Sequence, residues 1–265
     1  MSLAGKIAIV VGGGQQPGET TGNGRATSIR FAQEGATVLV VDNNQGWAEA
    51  TLAAIQDKGG KGTVLAADIT QEADCRKIAD TCVQRYGRID VLHNNVGRSR
   101  GDKNTPDLEA SMWDELMTLN LKGMFMTCKH VLPVMRRQKC GAIVNISSTS
   151  SFAGRQMLTY KTSKGAVNTM TQHIALENAG YGIRANAILP GLMDTPMAIE
   201  RRVQERGVER NLVRQERASQ VPLLTEEAGN AWDVANAAVF LASEEARYVT
   251  GVLLPVDGGL LLKIG

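Results

Sequence analysis

Short apolar runs rich in β-branched residues alternate along this chain with longer stretches that have helical periodicity. The runs that we interpret as strands are Ile7–Val11, Thr37–Val41, Thr63–Ala67, Val91–Leu92, Ala142–Ile146, Arg184–Leu189 and Val252–Val256. The stretches that we interpret as helices are Arg25–Gln33, Trp47–Asp57, Ala73–Arg85, Met112–Arg137, Thr159–Ala179 and Asp233–Leu241. Most of the strands are almost continuously apolar, as expected of a parallel sheet covered by helices on both faces. The alternation predicts one α/β domain over residues 1–265, with a doubly wound parallel sheet and right-handed crossovers.

Residues that favour helix termini mark the ends of several predicted helices. The glycines that fall where helix C-termini are expected are Gly35, Gly59, Gly87 and Gly180. The last long helix begins at Asn230 or at Asp233, since either side chain can cap it. Residues 197–220 depart from the alternation because they are highly charged and have no strand pattern. We interpret this segment as a helical excursion near the substrate or as a mobile lid.

Composition excludes several classes of protein. The net charge of +2 is spread along the chain, which argues against a nucleic-acid surface. No apolar run approaches the roughly 20 residues of a membrane span. The cysteines lack metal-type spacing and predict reduced, buried thiols; they are Cys75, Cys82, Cys128 and Cys140. The three histidines are far apart in sequence and indicate no metal site. We therefore expect a cytoplasmic protein that acts on a small molecule without a metal.

A glycine-rich turn follows the first predicted strand and leads into the first helix. Its glycines are Gly12, Gly13, Gly14, Gly18, Gly22 and Gly24. Glycines at such a turn let backbone N–H groups approach a pyrophosphate at a helix N-terminus. The second strand ends in Asp42, whose carboxylate can accept hydrogen bonds from both adenosine ribose hydroxyls and repels a 2′-phosphate. No Arg or Lys stands beside Asp42 in sequence. The pattern predicts a dinucleotide site that prefers NAD to NADP.

Tyr160 and Lys164 lie four residues apart in a segment predicted to be helical, so they share one face of that helix. A cation held there favours phenolate over phenol, and we expect the pKa of Tyr160 to fall below its ordinary value of about 10. A tyrosine with this property can take the proton from an alcohol near neutral pH. The same spacing also occurs on solvated helix faces, so the pair needs support from other residues.

That support comes from a resemblance to the short-chain dehydrogenase/reductase family over essentially the whole chain. The segments that carry it are Val11-Gly12 to Gly22-Asn23-Gly24-Arg25-Ala26, Asp68-Ile69, Asn94-Asn95-Val96-Gly97, Asn120, Asn145-Ile146-Ser147-Ser148, Tyr160-x-x-x-Lys164, Pro190-Gly191-Leu192-Met193-Asp194-Thr195-Pro196, Tyr248-Val249-Thr250-Gly251 and Val256-Asp257-Gly258-Gly259. The resemblance implies a single-domain Rossmann fold whose seven parallel strands have the order 3-2-1-4-5-6-7. It also implies a homotetramer or a dimer.

The resemblance further implies roles for individual residues. Tyr160 would be the acid/base, Lys164 would lower its pKa and bind the nicotinamide ribose, and Ser148 would hold the substrate oxygen. Asn120 would anchor a water that relays protons between Lys164 and solvent. The residues expected to contact NAD are Gly12, Gly14, Gly22, Asn23, Gly24, Asp42, Asp68, Ile69, Asn95, Val96, Gly97, Tyr160, Lys164, Pro190, Gly191, Met193 and Thr195.

The chain departs from the family pattern in the glycine turn. Gln15 to Thr21 separate Gly14 from Gly22, which suggests about six extra residues. An alternative alignment puts Gly18, Gly22 and Gly24 in register but leaves the end of the strand too far upstream. We prefer an insertion after Gly14, which either contacts the adenosine half of the cofactor or is a tolerated surface loop. Val11 stands where the family has a Thr.

A second departure concerns the catalytic serine. The position after Asn145-Ile146 selects Ser148, whereas the usual spacing back from Tyr160 selects Ser147. Consecutive strand residues point to opposite faces, so only one of the two can enter the site. We choose Ser148 and place a one-residue deletion in the loop that follows.

The expected activity is NAD-dependent hydride transfer to or from a secondary alcohol, which could be a polyol, a sugar or a hydroxy acid. Arg98, Arg100 and Arg155 could each bind an anionic group of the substrate, such as a carboxylate, phosphate or sulfonate, and we prefer Arg155 because its loop separates the catalytic Ser and Tyr. A solvent-exposed loop arginine is the alternative for this residue. The alternative functions are a 3-oxoacyl-thioester reductase of the same family and a non-catalytic nucleotide-binding protein.

Overall fold

Seven strands form one sheet in the computed structural model, which describes residues 2–152, 157–222 and 228–263. The strands are β1 (Ile7–Val11), β2 (Thr37–Asp42), β3 (Lys61–Ala66), β4 (Val91–Asn94), β5 (Gly141–Ile146), β6 (Ile183–Pro190) and β7 (Leu253–Val256). Their spatial order is 3-2-1-4-5-6-7, and every neighbouring pair is parallel. The predicted fold class and strand order are confirmed.

Helices cover both faces of this sheet. In the described part of the chain they are α1 (Asn23–Gln33), α2 (Gln45–Gln56), α3 (Glu72–Tyr86), α4 (Ala110–Met117), α5 (Gly123–Gln138), α6 (Leu158–Asn178), α7 (Glu200–Arg206), α8 (Arg210–Ala218) and α9 (Ala231–Ala242). Side chains of β1 alternate between two cores, with Ala8 and Val10 in one and Ile9 and Val11 in the other. Burial on both faces explains why the strands are continuously apolar in sequence.

The single long helix predicted over Met112–Arg137 is wrong, because a π-helical turn at Thr118–Lys122 separates α4 from α5. A π turn accommodates one extra residue and changes the direction in which side chains point. Asn120 lies in this turn and is fully buried. Helical periodicity does not reveal such a local expansion, since the apolar pattern continues on both sides.

Most predicted helix ends agree with the structure. Gly35, Gly59 and Gly87 have positive φ angles of 93°, 73° and 76°. Gly180 does not have this role. The chain leaves α6 through a short 3₁₀ turn, and the left-handed residue is Gly182, with φ of 68°. A Cβ there would lie 2.7 Å from the carbonyl oxygen of Lys139, so a glycine is required.

Both candidate caps of the last long helix take part in one capping box. Asn230 is the N-cap and accepts the backbone N–H of Trp232, while Asp233 accepts the N–H of Asn230. The charged segment 197–220, which we call the charged excursion, contains the helices α7 and α8.

The cysteine prediction needs one correction. All four cysteines are free thiols, and Cys75, Cys82 and Cys128 are buried, whereas Cys140 is partly exposed. Burial raises the pKa of Cys75 to about 11 and that of Cys128 to about 12. No described helix is long and apolar enough to cross a membrane.

Candidate active site

A cavity of about 640 Å³ opens at the carboxyl ends of the strands. In doubly wound sheets this edge is where ligands bind. The cavity brings together predicted site residues from all parts of the chain: Gly12, Gly14, Gly22, Asn23, Gly24, Asp42, Asp68, Ile69, Asn95, Val96, Gly97, Ser148, Tyr160, Lys164, Pro190, Gly191, Met193 and Thr195. Asn120 lies behind its wall. Arg155 is outside the described residues.

The glycine turn packs closely against the start of α1. Gly12 has φ of 75°, and a Cβ on Gly24 would lie 1.9 Å from the Gly12 carbonyl oxygen. The side-chain amide of Asn95 donates to that same oxygen at 3.0 Å and ties the turn to the loop after β4. Gly22 is the N-cap of α1 and provides no side-chain cap. Backbone N–H groups at this helix start are therefore available to an anion such as a pyrophosphate.

The segment Gln15–Thr21 is closed by one side chain. The Gln15 amide nitrogen donates to the Thr20 carbonyl at 2.9 Å, and its oxygen accepts the N–H of Gly22 at 2.6 Å. The tip of the segment reaches the charged excursion, where Glu19 pairs with Arg210 at 2.8 Å. Arg210 also pairs with Glu200, at 2.8 Å.

Carboxylates lie at the end of the cavity formed by β2 and β3. Asp42 accepts the N–H of Gly14 and the N–H of Asn44, each at 3.0 Å. Burial raises the pKa of Asp42 above its ordinary value, and the hydrogen bonds from backbone N–H groups oppose this shift. Asp68 accepts the N–H of Thr70 at 2.9 Å and its hydroxyl at 2.8 Å. These contacts fix the direction of both carboxyl groups.

The two consecutive serines after β5 have different surroundings. The Ser147 hydroxyl is buried and donates to the Lys164 carbonyl at 3.0 Å, so it holds α6 against the strand. Ser148 is partly exposed at the cavity, and its oxygen accepts the N–H of Ser150 at 3.2 Å. The Ser148 and Ser150 hydroxyl oxygens are 2.7 Å apart. Of the two residues, Ser148 has the hydroxyl that is better placed for a ligand.

Lys164 is buried beneath the cavity, and its ammonium donates to the Ile146 carbonyl at 2.7 Å. The same nitrogen lies 5.8 Å from the centre of the Tyr160 ring. Burial lowers the pKa of Lys164 to about 8. A Cβ on Gly97 would lie 2.9 Å from this nitrogen and 3.7 Å from Asn120 Oδ1, so Gly97 keeps the space between them open.

Asn120 fastens the loop after β4 to α6. Its Oδ1 accepts the N–H of Arg98 at 2.8 Å, and its Nδ2 donates to the Arg98 carbonyl at 2.9 Å and to the Ser163 hydroxyl at 3.2 Å. The π-helical turn supplies the orientation that these three bonds require.

Asp102 is a site residue that the sequence pattern did not reveal. Its Oδ1 accepts the N–H of Thr159 at 3.1 Å, and its Oδ2 accepts the N–H of Tyr160 at 2.8 Å. The N-cap of α6, Met157, contributes no side-chain bond, so this distant carboxylate does the capping. No local motif signals it, because 57 residues separate Asp102 from Thr159.

Five arginines line the cavity away from Asp42 and Asp68, since they follow β4 and β6 whereas the two carboxylates follow β2 and β3. We call this part of the cavity the arginine end; its arginines are Arg98, Arg100, Arg201, Arg202 and Arg217. Arg98 and Arg100 follow β4, and the other three belong to the charged segment 197–220. Among the described residues, no group of three or more His, Cys, Asp or Glu is placed to hold a metal ion.

Comparison with known proteins gives consistent matches. A family model described as enoyl-(acyl carrier protein) reductase matches residues 18–261. The chain is 36% identical over 263 residues to the 3-oxoacyl-(acyl-carrier-protein) reductase FabG of Thermotoga maritima, covering 99% of this chain and 100% of that protein.

Two solved structures are also similar. A protein from Burkholderia xenovorans described as a short-chain dehydrogenase/reductase superposes with a TM-score of 0.93 at 39% identity, covering 99% of both chains. An NAD⁺-bound xylitol dehydrogenase superposes with a TM-score of 0.88 at 32% identity, covering 98% of this chain and 100% of that one.

Proposed function

This chain belongs to the short-chain dehydrogenase/reductase family of oxidoreductases, and from that premise we propose that it is an NAD-dependent dehydrogenase of a secondary alcohol. A polyol, a sugar or a hydroxy acid has the required group. The observation that carries the proposal is the position of Ser148, Tyr160 and Lys164 in one cavity whose far end holds Asp42.

The residues present fit a nicotinamide dinucleotide. The uncapped start of α1 suits the pyrophosphate, Asp42 suits the adenosine ribose, and Gly191, Met193 and Thr195 suit the carboxamide. When bound, the nicotinamide would supply the hydride acceptor at its C4. The protein's task is to orient the alcohol and to remove its proton.

Ser148 would hold the substrate oxygen, and Tyr160 would take the proton from that hydroxyl as a hydride leaves the carbon that bears it. Lys164 favours the deprotonated phenol electrostatically, since its ammonium lies near the Tyr160 ring. Asn120 would anchor a water beside Gly97, where the Lys164 nitrogen and Asn120 Oδ1 face the same space. That water would carry the proton to solvent. In the reverse direction the same groups would protonate a carbonyl oxygen.

The preference for NAD rests on Asp42. A 2′-phosphate placed on the ribose would meet its carboxylate in a partly buried site, where like charges repel strongly. The xylitol dehydrogenase neighbour is bound to NAD⁺, which is consistent with this choice.

The second candidate is a 3-oxoacyl-thioester reductase. The similarity to FabG over the whole chain favours it, while Asp42 argues against the phosphorylated cofactor that such reductases usually take. A non-catalytic nucleotide-binding protein is a minor alternative, because Ser148, Tyr160 and Lys164 are all retained.

We further propose a homotetramer or dimer in the cytoplasm. In the oligomer, α5 and α6 would pair between subunits, and β7 would lie near a second interface. Phe125 on α5 and Leu176 on α6 are 48% and 82% exposed in the single chain, which suits such pairing.

The test is NADH formation at 340 nm across a panel of secondary alcohols, polyols, sugars and hydroxy acids, with NAD and NADP compared. We expect turnover with NAD for one class and a lower kcat/KM with NADP. Tyr160→Phe keeps the ring and should lower kcat by about 10²–10⁴-fold. Ser148→Ala should impair kcat far more than Ser147→Ala.

Saturable NADH binding without turnover of any alcohol, or of a 3-oxoacyl thioester in reverse, would favour the non-catalytic alternative. Thioester reduction alone would favour the second candidate.

A further inference from the structure

Charge is segregated along the cavity. Among its described lining residues, the carboxylates are Asp42 and Asp68, which follow β2 and β3. At the arginine end, the described lining residues include five guanidinium groups and no Asp or Glu. Low-dielectric walls of one sign raise the local concentration of oppositely charged ligands. This end of the cavity is therefore suited to an anion.

Most of these arginines already have partners within the protein. Arg98 pairs with Glu115. Arg202 donates to the Ala198 carbonyl at 2.6 Å, and Arg217 donates to the Met193 carbonyl at 3.1 Å. These bonds hold the walls of the cavity in place, so the three residues have a structural role that does not depend on a ligand.

Arg201 differs from Arg98 in having no carboxylate within hydrogen-bond distance among the described residues. It is the second residue of α7, and its Nη1 donates to the hydroxyl of Ser99, in the loop after β4, at 3.1 Å. Its Nε is buried and has no hydrogen-bond partner among the described residues, as is also true of the Arg98 Nε. The carboxylate of Glu205 is 3.7 Å from Nε, beyond hydrogen-bond distance, and is half exposed. The Arg201 guanidinium is therefore less closely neutralised than that of Arg98, which pairs with Glu115.

We propose that the substrate carries an oxyanion group, a carboxylate, sulfonate or phosphate, that binds Arg201. The inference rests on the proposed function, because it assigns a substrate class to that site. Arg201 lines the cavity, and a guanidinium binds oxyanion groups in a bidentate manner through two adjacent N–H groups. The Ser99 contact holds the guanidinium over the cavity, so little side-chain freedom is lost on binding.

The same chemistry has a second source, the pyrophosphate of the cofactor. Substrate and cofactor are distinguished by which Michaelis constant depends on Arg201. Arg206 provides a matched control, because it lies on the same helix, pairs with Glu216 at 2.5 Å and does not line the cavity.

The experiment compares the wild type with Arg201→Gln, Arg201→Lys and Arg206→Gln, using 3-hydroxybutanoate and its neutral methyl ester as matched alcohols. A parallel titration measures binding of butanoate and butane-1-sulfonate to the enzyme–NADH complex by nicotinamide fluorescence, which requires no turnover. We expect Arg201→Gln to weaken the anionic probes at least about tenfold, Arg201→Lys to restore part of the loss, and Arg206→Gln to match the wild type. The KM for the ester and for NAD should change less than about twofold.

Glu205→Gln should change the affinity for anions in the direction opposite to Arg201→Gln. Removing the nearby carboxylate should tighten the anionic probes about two- to threefold, since Glu205 is the negative charge that competes for Arg201.

An equal effect of Arg201→Gln on the acid and the ester, or anion binding that does not depend on Arg201, would overturn the inference and leave the dehydrogenase proposal standing. A selective rise in the KM for NAD would overturn it too, by assigning Arg201 to the cofactor. Arg201-dependent anion binding without turnover of any alcohol would instead remove the dehydrogenase proposal.

Discussion

The ammonium of Lys164 is fully enclosed by protein and donates a hydrogen bond to the Ile146 carbonyl. Burial lowers its pKa from 10.5 to about 8. A tenfold change in an acid dissociation constant corresponds to about 1.4 kcal/mol, so keeping this group charged at neutral pH costs the fold about 3 kcal/mol. The fold therefore loses stability in order to hold a cation beside Tyr160.

Lys164→Met should abolish activity and change how stability depends on pH. Between pH 8 and 10.5 the unfolded chain binds the Lys164 proton and the folded chain does not, so the wild type gains stability relative to the variant as pH rises through this window. The measurement is the free energy of unfolding of both cofactor-free proteins in urea at pH 7 and pH 10. A difference that stays constant between the two pH values would contradict the assigned pKa.

Residues whose roles follow from their spacing in the sequence could be predicted from the sequence. Tyr160 and Lys164 share a helix face, and Asp42 ends a strand next to a glycine turn. Arg201 and Asp102 were missed because their roles depend on which distant loops meet in space. Arg201 reaches Ser99 from a segment 102 residues away in the chain. Arg155, the preferred sequence-based candidate for an anion, lies outside the described residues and stays a prediction.

At the scale of elements, α6 is placed by a carboxylate that belongs to another part of the chain. The first N–H groups of a helix need acceptors, and the N-terminus carries partial positive charge. Asp102 satisfies the N–H groups of Thr159 and Tyr160 and contributes a negative charge at that end. We infer that Asp102 positions Tyr160 by fixing the start of its helix.

Asp102→Ala should lower the free energy of unfolding by about 1–2 kcal/mol, as expected for loss of a cap. We also expect kcat to fall about tenfold while the KM for NAD is unchanged, because the Tyr160 phenol moves but the cofactor end does not. Asp102→Asn keeps one carbonyl acceptor and should recover part of both losses. A lower melting temperature with an unchanged kcat would limit Asp102 to a structural role.

Helices and strands were predicted well where burial imposes a periodic pattern, and less well where the contacts of a single residue determine the local backbone. All seven strands were found, since two-sided burial leaves a continuous apolar run. The π-helical turn was not predicted, because it is needed only to orient one residue, Asn120, for its hydrogen bonds. The Gly180 assignment failed for a similar reason: the close approach of Gly182 to Lys139 is a tertiary contact.

On the scale of the whole molecule, the glycine turn and the charged excursion are joined. Glu19 at the tip of Gln15–Thr21 pairs with Arg210 of α8, which in turn pairs with Glu200 of α7. The parts that would bind the cofactor phosphates and the substrate anion are thus in direct contact. An exposed ion pair contributes about 0–1 kcal/mol, so its effect should appear in coupling more than in stability.

Glu19→Ala should leave the free energy of unfolding within about 1 kcal/mol of the wild type and reduce communication between the two segments. We expect NAD to slow amide hydrogen exchange in Glu200–Ala218 of the wild type and to slow it less in the variant. High salt should mimic the substitution by screening the pair. Identical protection of this segment by NAD in both proteins would show that the contact carries no coupling.

The bonds from the Gln15 amide to Thr20 and Gly22 have a consequence for how this chain tolerates change. They close the neck of the inserted segment, so the position of Gly22 depends on Gln15 and not on the path of the residues in between. Residues 16–18 can therefore vary while the helix start beneath them stays in place, provided that Glu19 keeps its pair with Arg210. The segment is a natural graft site, where a recognition sequence or an environment-sensitive dye can be carried beside the cofactor cleft.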